Sequence, residues 1–411
     1  MSTTTTASLA LPASAPRAAR LVLNMLQHLQ RATLDVQLPD GHQLRFGNPA
    51  DTGPRGAIRL RTWDVCAAAL KSGDIGFAES YIAGTWTTPD LAALLKVFIA
   101  NRDAAEQLIY GSWWGSLAYR LKHLLHRNSR RGSRKNIHAH YDIGNSFYTL
   151  WLDETMNYSS AWFAGDTSRS LPDAQHAKVR RALAQCGIAP GGRLLEIGCG
   201  WGALAEIAAR DFGAHVTGLT LSTEQLAHAT KRLADAGLAD RADLRLQDYR
   251  DVTDAPFDAI CSIEMFEAVG REYWPHYFRT VHDKLKPGGR ACIQTITIRD
   301  DLFERYVRST DFIQQYIFPG GLLPSAQAFR AEAARAALRV VDEFAFGHDY
   351  AETLARWRTA FLQREPQVRK LGFDTRFMRT WEFYLAYCEA AFATGNTDVV
   401  QFTLQRDGGR P

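Results

Sequence analysis

Residues 194–202, Leu194-Leu195-Glu196-Ile197-Gly198-Cys199-Gly200-Trp201-Gly202, decide the fold. A short apolar run ends in glycines at alternate positions and opens into the helix-forming Ala203-Leu204-Ala205-Glu206. That strand–turn–helix context is what a glycine-rich nucleotide loop needs. Glycine lets the backbone turn tightly and brings its amides close to a ligand. Taken alone, the spacing equally fits a plain strand-to-helix turn. Downstream, His215–Leu219, Asp243–Leu246, Phe257–Ile263 and Arg290–Ile298 read as further strands after Arg193–Ile197. Helical stretches lie between most of them, near 202–212, 222–236 and 270–286. Such alternation predicts an α/β fold with a mainly parallel, Rossmann-like sheet covered on both faces. Lys286-Pro287-Gly288-Gly289 reads as the turn into the fifth strand. A helical, aromatic insertion at about 300–335 interrupts the alternation; a strand (Leu338–Phe346), helices and a closing strand (Val399–Gln405) follow.

Upstream the pattern changes. Residues 1–16 are rich in Thr, Ser, Ala and Pro and read as a disordered tail. Residues 17–32 carry leucines at helical spacing. The alternating runs LDVQL and HQLRF meet at Asp40-Gly41, a favoured hairpin turn. Ala57–Arg61 reads as a strand, and Trp63–Lys71 and Phe77–Thr85 as helices. Residues 17–105 therefore read as a small α+β domain, 106–137 as a linker, and 138–411 as the catalytic domain. A length of 411 residues suits more than one domain.

The chain is 46% hydrophobic and 22% charged, which argues against extensive disorder. Six scattered cysteines form no C-x-x-C pair, so neither a disulfide framework nor a metal site is expected. The first residues lack a secretory signal's basic and apolar regions, and no run is long enough to span a membrane. A cytoplasmic protein is expected. The net charge of +4 excludes a polybasic protein but hides a local imbalance. Between Gln107 and Tyr141 there is no acidic residue, while Arg120, Lys122, Arg127, Arg130, Arg131, Arg134 and Lys135 are all basic. Removing these seven leaves the rest of the chain at −3. Tyr110, Trp113, Trp114 and Tyr119 precede or border them. A solvated linker is one reading. A patch for the anionic surface of a phospholipid bilayer is the other, since bases beside interfacial aromatics suit a membrane face. No recognisable nucleic-acid module accompanies the patch, so no nucleic acid is expected.

The string Glu196–Gly202 resembles motif I of class I S-adenosylmethionine-dependent methyltransferases. No acidic residue closes the second strand, VTGLTLS, as dinucleotide binding would favour. The resemblance narrows at His140-Tyr141-Asp142-Ile143-Gly144-Asn145, Asn157-Tyr158-Ser159-Ser160 and Thr220-Leu221-Ser222-Thr223-Glu224-Gln225. It continues at Gln247-Asp248-Tyr249-Arg250, Met265-Phe266-Glu267-Ala268-Val269-Gly270, Tyr316-Ile317-Phe318-Pro319-Gly320-Gly321 and Phe346-Gly347-His348-Asp349-Tyr350. Together these resemble the cyclopropane-fatty-acid synthase family over residues 138–405, and the N-terminal domain resembles the extra domain of its longer members. The resemblance implies S-adenosyl-L-methionine as cofactor. Tyr158 and Ser159 would close over its methionine end, with Glu196, Gly198, Cys199, Gly200 and Gly202 forming the loop beneath. Thr220 and Gln225 would replace the usual acidic ribose partner, and Asp248 and Tyr249 match positions flanking the adenine. Locally, Thr220 and Ser222 also fit simple capping of the next helix.

The implied substrate is the cis double bond of an unsaturated phospholipid acyl chain, and the implied product a cyclopropane fatty acid. An alkene is a weak nucleophile, so alignment and exclusion of water are the available levers. Methyl transfer leaves a cation that aromatic faces can stabilise. Phe303, Tyr306, Phe312, Tyr316 and Phe318 in the insertion suit an apolar lid, or equally an ordinary core. The family implies bicarbonate as the base, held at positions matching Glu267, Tyr350 and Ile296. Ser160 stands where many members have Cys, Gln294 where many have His, and Ala268 where a His often follows the glutamate. Glu267 also fits a structural carboxylate paired with an arginine. Other products are a methyl-branched or methylene chain. Other functions are methylation of a small molecule, or lipid binding without catalysis. A peripheral location on the inner membrane face is expected, and a homodimer is compatible with it.

Overall fold

The computed structural model describes residues 15–48, 50, 52–102 and 143–408. The basic run Arg120–Lys135, the string His140-Tyr141-Asp142 and the first fourteen residues lie outside them. Two compact units divide the chain, Met1–Ala118 and Tyr119–Pro411. The first opens with α1 (Arg17–Leu26), which buries Ala19, Leu23 and Leu26 along one stripe. It then runs through β1 (Thr33–Gln37), β2 (Gln43–Gly47), β3 (Arg55–Leu60), α2 (Asp64–Ala83), β4 (Trp86–Thr87) and α3 (Leu91–Ala100). The sheet order is β2-β1-β3-β4. β1 and β2 form the expected hairpin, with Asp40 Oδ1 accepting from His42 N–H at 3.1 Å in the turn. The two helices expected at 63–71 and 77–85 are one element kinked at Gly73. Trp86 is fully buried there and stacks on Phe77 with ring centroids 4.4 Å apart.

Among the described residues, the second unit opens with α4 (Asn145–Tyr148) and α5 (Leu171–Cys186). The alternating core follows: β5 (Arg193–Ile197), α6 (Ala203–Asp211), β6 (His215–Thr220), α7 (Thr223–Asp235), β7 (Ala242–Leu246) and β8 (Phe257–Ile263). Next come α8 (Trp274–Lys284), β9 (Leu285–Ile298), α9 (Asp300–Arg308), α10 (Phe312–Tyr316), α11 (Ala326–Arg335) and β10 (Leu338–Ala345). The chain closes with α12 (Gly347–Gln363), α13 (Glu365–Lys370), α14 (Thr375–Ala393) and β11 (Thr397–Arg406). The seven strands take the order β10-β11-β9-β8-β5-β6-β7. All neighbouring pairs from β9 to β7 are parallel, whereas β11 runs antiparallel to both β9 and β10.

This is the expected doubly wound α/β sheet, with one local difference. Lys286-Pro287-Gly288-Gly289 lies inside β9 rather than ahead of it. Phe257 pairs with Leu285 and Ala259 with Arg290, so the residues between bulge out of the ladder. The central strands are largely buried and mostly apolar because helices cover both faces. Val179, Leu183, Leu204 and Ile207 of α5 and α6 pack on one side. Trp274, Tyr277, Phe278 and Phe329 of α8 and α11 pack on the other. Each such fully buried side chain contributes about 1.5–3 kcal/mol.

The chain reverses its lateral direction after β7, returning to place β8 on the other side of β5. A crevice therefore opens beyond the C-terminal ends of β5 and β8, the switch point where open α/β sheets bind ligands. Among the described residues, no helix is long and apolar enough to cross a membrane.

Candidate active site

The floor of the crevice is the turn after β5. Gly198 has φ 88°, and a Cβ there would lie 2.9 Å from Met265 Cγ, so any side chain is excluded twice over. The Gly198 and Cys199 N–H groups both donate to Leu219 O, at 3.0 and 2.8 Å, pinning the turn to β6. Gly200, at φ 50°, has no atom within 4 Å of where a Cβ would sit, leaving an open cradle. Gly202, at φ 85°, starts α6. Glu196 is buried just beneath, and its Oε2 has no partner. Burial pushes its carboxyl up to about 8, opposed by the positive Lys178.

At the end of β6, Thr220 donates to Gln225 Oε1 at 2.8 Å, leaving the Gln225 NH2 as a donor. Ser222 caps α7 by accepting from Gln225 N–H at 3.3 Å. The Thr220 hydroxyl also accepts from Ser222 N–H at 3.1 Å, so both hydroxyls make local bonds at the start of α7. Asp248 is buried and held by Arg250 through both oxygens, at 2.8 and 2.6 Å, while Tyr249 packs edge-on against Tyr277.

Above the floor, Trp201 Nε1 donates to Asn145 Oδ1 at 2.7 Å, and the Trp201 ring meets Tyr148 at 5.2 Å. Tyr158 joins Tyr384 through their hydroxyls at 2.8 Å. Its ring lies 5.4 Å from Tyr148 and 5.6 Å from both Trp151 and Trp357. Ser159 Oγ accepts from Lys178 Nζ at 2.6 Å. Lys178 is fully buried, and burial brings its ammonium down to about 8 against the pull of Glu264 and other acids. Sequence reasoning missed Lys178 and the aromatic wall of Tyr148, Trp151 and Trp357. All three rings come from, or pack against, segments distant from the glycine loop, so no local pattern marks them. The open glycine turn, the unpartnered Glu196 oxygen and the aromatic wall fit a cationic cofactor bearing amine and hydroxyl donors, as S-adenosylmethionine does.

The carboxylate side of the site corrects the sequence reading. Glu267 Oε1 accepts from Ile296 N–H and from Thr295 Oγ1, the latter at 3.0 Å; Oε2 is buried without a partner. Among the described residues, no arginine pairs with it. Desolvation, reinforced by the neighbouring Glu264 charge, pushes the Glu267 carboxyl up to about 8. Ser160, Gln294 and Tyr350, expected to share an anion with Glu267, instead converge on Glu264. Glu264 Oε1 accepts from Ser160 N–H at 2.9 Å and Gln294 Nε2 at 2.7 Å, and Oε2 accepts from Tyr350 OH at 2.6 Å. The Ser160 hydroxyl points away, donating to Ala161 O at 2.9 Å. Bicarbonate does not fit these donors, because a side chain of the protein already occupies them. A carboxylate at the end of an apolar strand, three residues before Glu267, was the available signal for Glu264.

The lid aromatics separate into two groups. Phe303 joins the main core and stacks on Trp274 at 6.2 Å; Tyr306 OH accepts from Gln314 Nε2 and Leu323 N–H at 3.2 and 3.3 Å. Phe303 is therefore a core residue, not a lid residue. Phe312 stacks on Tyr316 and packs on Phe383 of α14, while Phe318 approaches Tyr384 at 6.0 Å. The second group thus reaches the hydroxyl partner of Tyr158.

Residues 128–402 match the family model described as mycolic acid cyclopropane synthetase. The chain belongs to this family. It is an S-adenosylmethionine-dependent methyltransferase of the cyclopropane-fatty-acyl-phospholipid synthase type. It is 42% identical to the tuberculostearic acid methyltransferase of Mycobacterium tuberculosis over 347 residues, covering 82% of this chain and 80% of that protein. It is 32% identical to the cyclopropane-fatty-acyl-phospholipid synthase of Escherichia coli over 387 residues, covering 90% and 96%. Its structure resembles a crystallised mycolic acid cyclopropane synthase complexed with SAH and CTAB, with TM-score 0.62 and 33% identity over 66% of this chain and 98% of that one.

Proposed function

We propose that this chain adds the methyl carbon of S-adenosylmethionine to the cis double bond of an unsaturated phospholipid acyl chain. The carrying observation is the meeting, beyond β5 and β8, of a glycine loop, a wall of aromatic rings and buried carboxylates. An alkene has no proton to lose before it attacks, so this site needs alignment first and a base only afterwards. S-adenosylmethionine, when bound, supplies an electrophilic methyl group on sulfur. Tyr148, Trp151, Tyr158 and Trp357 offer π-faces to the cation that follows and keep water from it. Gly198 and Gly200 let the backbone approach the cofactor, and Glu196 and Gln225 offer polar contacts to it. Phe312, Tyr316 and Phe318 line the approach of the acyl chain.

Loss of a proton with ring closure makes a cyclopropane. A second reading, favoured by the 42% identity to the tuberculostearic acid methyltransferase, is a hydride shift and loss of a methyl proton to give a methylene chain, which becomes a saturated methyl branch only when a separate hydride donor reduces it. The basic run Arg120–Lys135 is proposed to hold the enzyme on an anionic lipid surface at the cytoplasmic face. Purified protein incubated with labelled S-adenosylmethionine and vesicles of unsaturated lipid should place label in the lipid. Cofactor binding without lipid label overturns the proposal. Mass spectrometry separates a cyclopropane from a saturated branch by hydrogen count, and proton NMR separates it from the isomeric methylene chain.

A further inference from the structure

We propose that Glu264 is the built-in base of this enzyme, occupying with its own carboxylate the anion position expected for bicarbonate; the assignment rests on the alkene-methylating reading above. The first support is the donor set. Ser160 N–H, Gln294 Nε2 and Tyr350 OH come from three separate segments and meet on one carboxylate. The second is the orientation of Gln294, which a relay of side chains determines. Arg181 has only donors to offer; its Nη2 lies 2.8 Å from Asp342 Oδ2, and its Nη1 donates to Gln401 Oε1 at 2.7 Å. That contact turns the Gln401 NH2 toward Gln294 Oε1, at 3.0 Å, and toward Lys178 O. Gln294 must then present its own NH2 to Glu264, which therefore has to accept.

The third support is the backbone. Glu264 has φ 49°, a left-handed conformation uncommon for a non-glycine residue. It is held there by its N–H donating to Gln294 O at 2.8 Å, together with the three bonds to its carboxylate. Strain of this kind persists where the surroundings over-determine a functional geometry. The carboxylate also retains capacity to act. Two oxygens offer about four lone-pair positions, and three are taken, leaving one on Oε2. Burial raises the affinity of Glu264 for a proton, and the buried Lys178 ammonium offsets part of that effect.

The methylated chain carries one positive charge. A C–H bond of the added methyl breaks, and its electron pair forms the new ring bond, or the methylene double bond after a hydride shift. The proton goes to Oε2, leaving neutral Glu264 and neutral product, and water takes it up when the product leaves.

The test compares wild type with Glu264→Gln and Glu264→Gly in buffers stripped of carbon dioxide or supplied with bicarbonate. Gln preserves the hydrogen bonds, since its carbonyl accepts from Ser160 and Gln294 while Tyr350 turns to accept from its NH2. Gly suits the positive φ and vacates the cradle. Wild-type turnover should be unaffected by bicarbonate, and Glu264→Gln should lower it by about 100-fold or more with cofactor affinity retained. Glu264→Gly should be equally impaired and regain turnover with added bicarbonate or formate. Binding of carbon-13 bicarbonate, followed by NMR line broadening, should appear only in Glu264→Gly. Wild type that binds bicarbonate at this site, or a fully active Glu264→Gln, overturns the assignment. Absence of lipid methylation by wild type, with the binding result as expected, overturns the reading of function and leaves the cradle assignment standing on the binding result.

Discussion

Glu264 and Glu267 lie within one turn of chain after β8, yet the fold treats them in opposite ways. Glu264 meets three donors from distant segments. Glu267 meets the Ile296 amide and the Thr295 hydroxyl on one oxygen only, and its other oxygen is buried alone. The difference teaches that burial alone does not set a carboxyl's role; the donors around it do. Two neighbouring carboxyls in one apolar site cannot both ionise cheaply, and donors decide which one carries the charge. Burial raises both carboxyls; the three donors and the Lys178 charge oppose that rise at Glu264, whereas Glu267, with fewer donors and beside Glu264, is pushed up to about 8.

Truncating either carboxyl should have the largest effect. Glu264→Ala leaves three donors without their acceptor and removes a negative charge near the buried Lys178, and should cost about 3–5 kcal/mol of stability. Glu267→Ala leaves only the Ile296 amide and the Thr295 hydroxyl unpaired and should cost about 1–3 kcal/mol. Urea titrations of both variants measure the gap, and equal losses would remove the distinction.

A pH titration of stability sharpens it further. The native Glu267 carboxyl has its pKa raised from the usual 4.5 to about 8, so across that window the folded state holds a proton that the unfolded state has lost. Stability attributable to this group is therefore full below 4.5 and falls as pH rises toward 8. Glu267→Gln should flatten the fall over that range. Glu196 has the same direction and window, so some slope remains in the variant. Chemical denaturation at a series of pH values reads both.

Smaller effects probe the relay. Arg181→Met removes the donor that orients Gln401 and, through it, Gln294. It should cost on the order of 1–2 kcal/mol and lower turnover with cofactor affinity unchanged, as measured by denaturation and calorimetry. The smallest effect belongs to an exposed pair away from the site. Lys231→Ala breaks the Lys231–Asp235 contact of 2.6 Å on α7 and should shift stability by no more than about 0.5 kcal/mol. A larger shift would show that the denaturation assay does not isolate the buried carboxyls.

The glycine loop was legible in the sequence because its conformation is set locally. Consecutive backbone positions must bend, and only glycine tolerates the Gly198 conformation beside Met265. The strands Arg193–Ile197 and Phe257–Ile263 were legible for a similar reason, since burial on both faces favours mostly apolar runs. The two helical segments of the first unit were not recognised as one, because a kink at Gly73 interrupts the periodicity without ending the helix. The Lys286–Gly289 bulge looked like a turn because its composition is that of a turn, while pairing with β8 keeps it in the strand.

The doubly wound sheet, the glycine loop and the family were decided by the sequence alone, since each rests on short strings of neighbouring residues. Only the tertiary structure decided which glutamate receives Ser160, Gln294 and Tyr350. It also placed the aromatic wall around Tyr158 and assigned Phe303 to the core. The physical reason is range. Backbone conformation is set by neighbours in sequence, whereas a buried charge is set by donors that folding brings from the far ends of the unit.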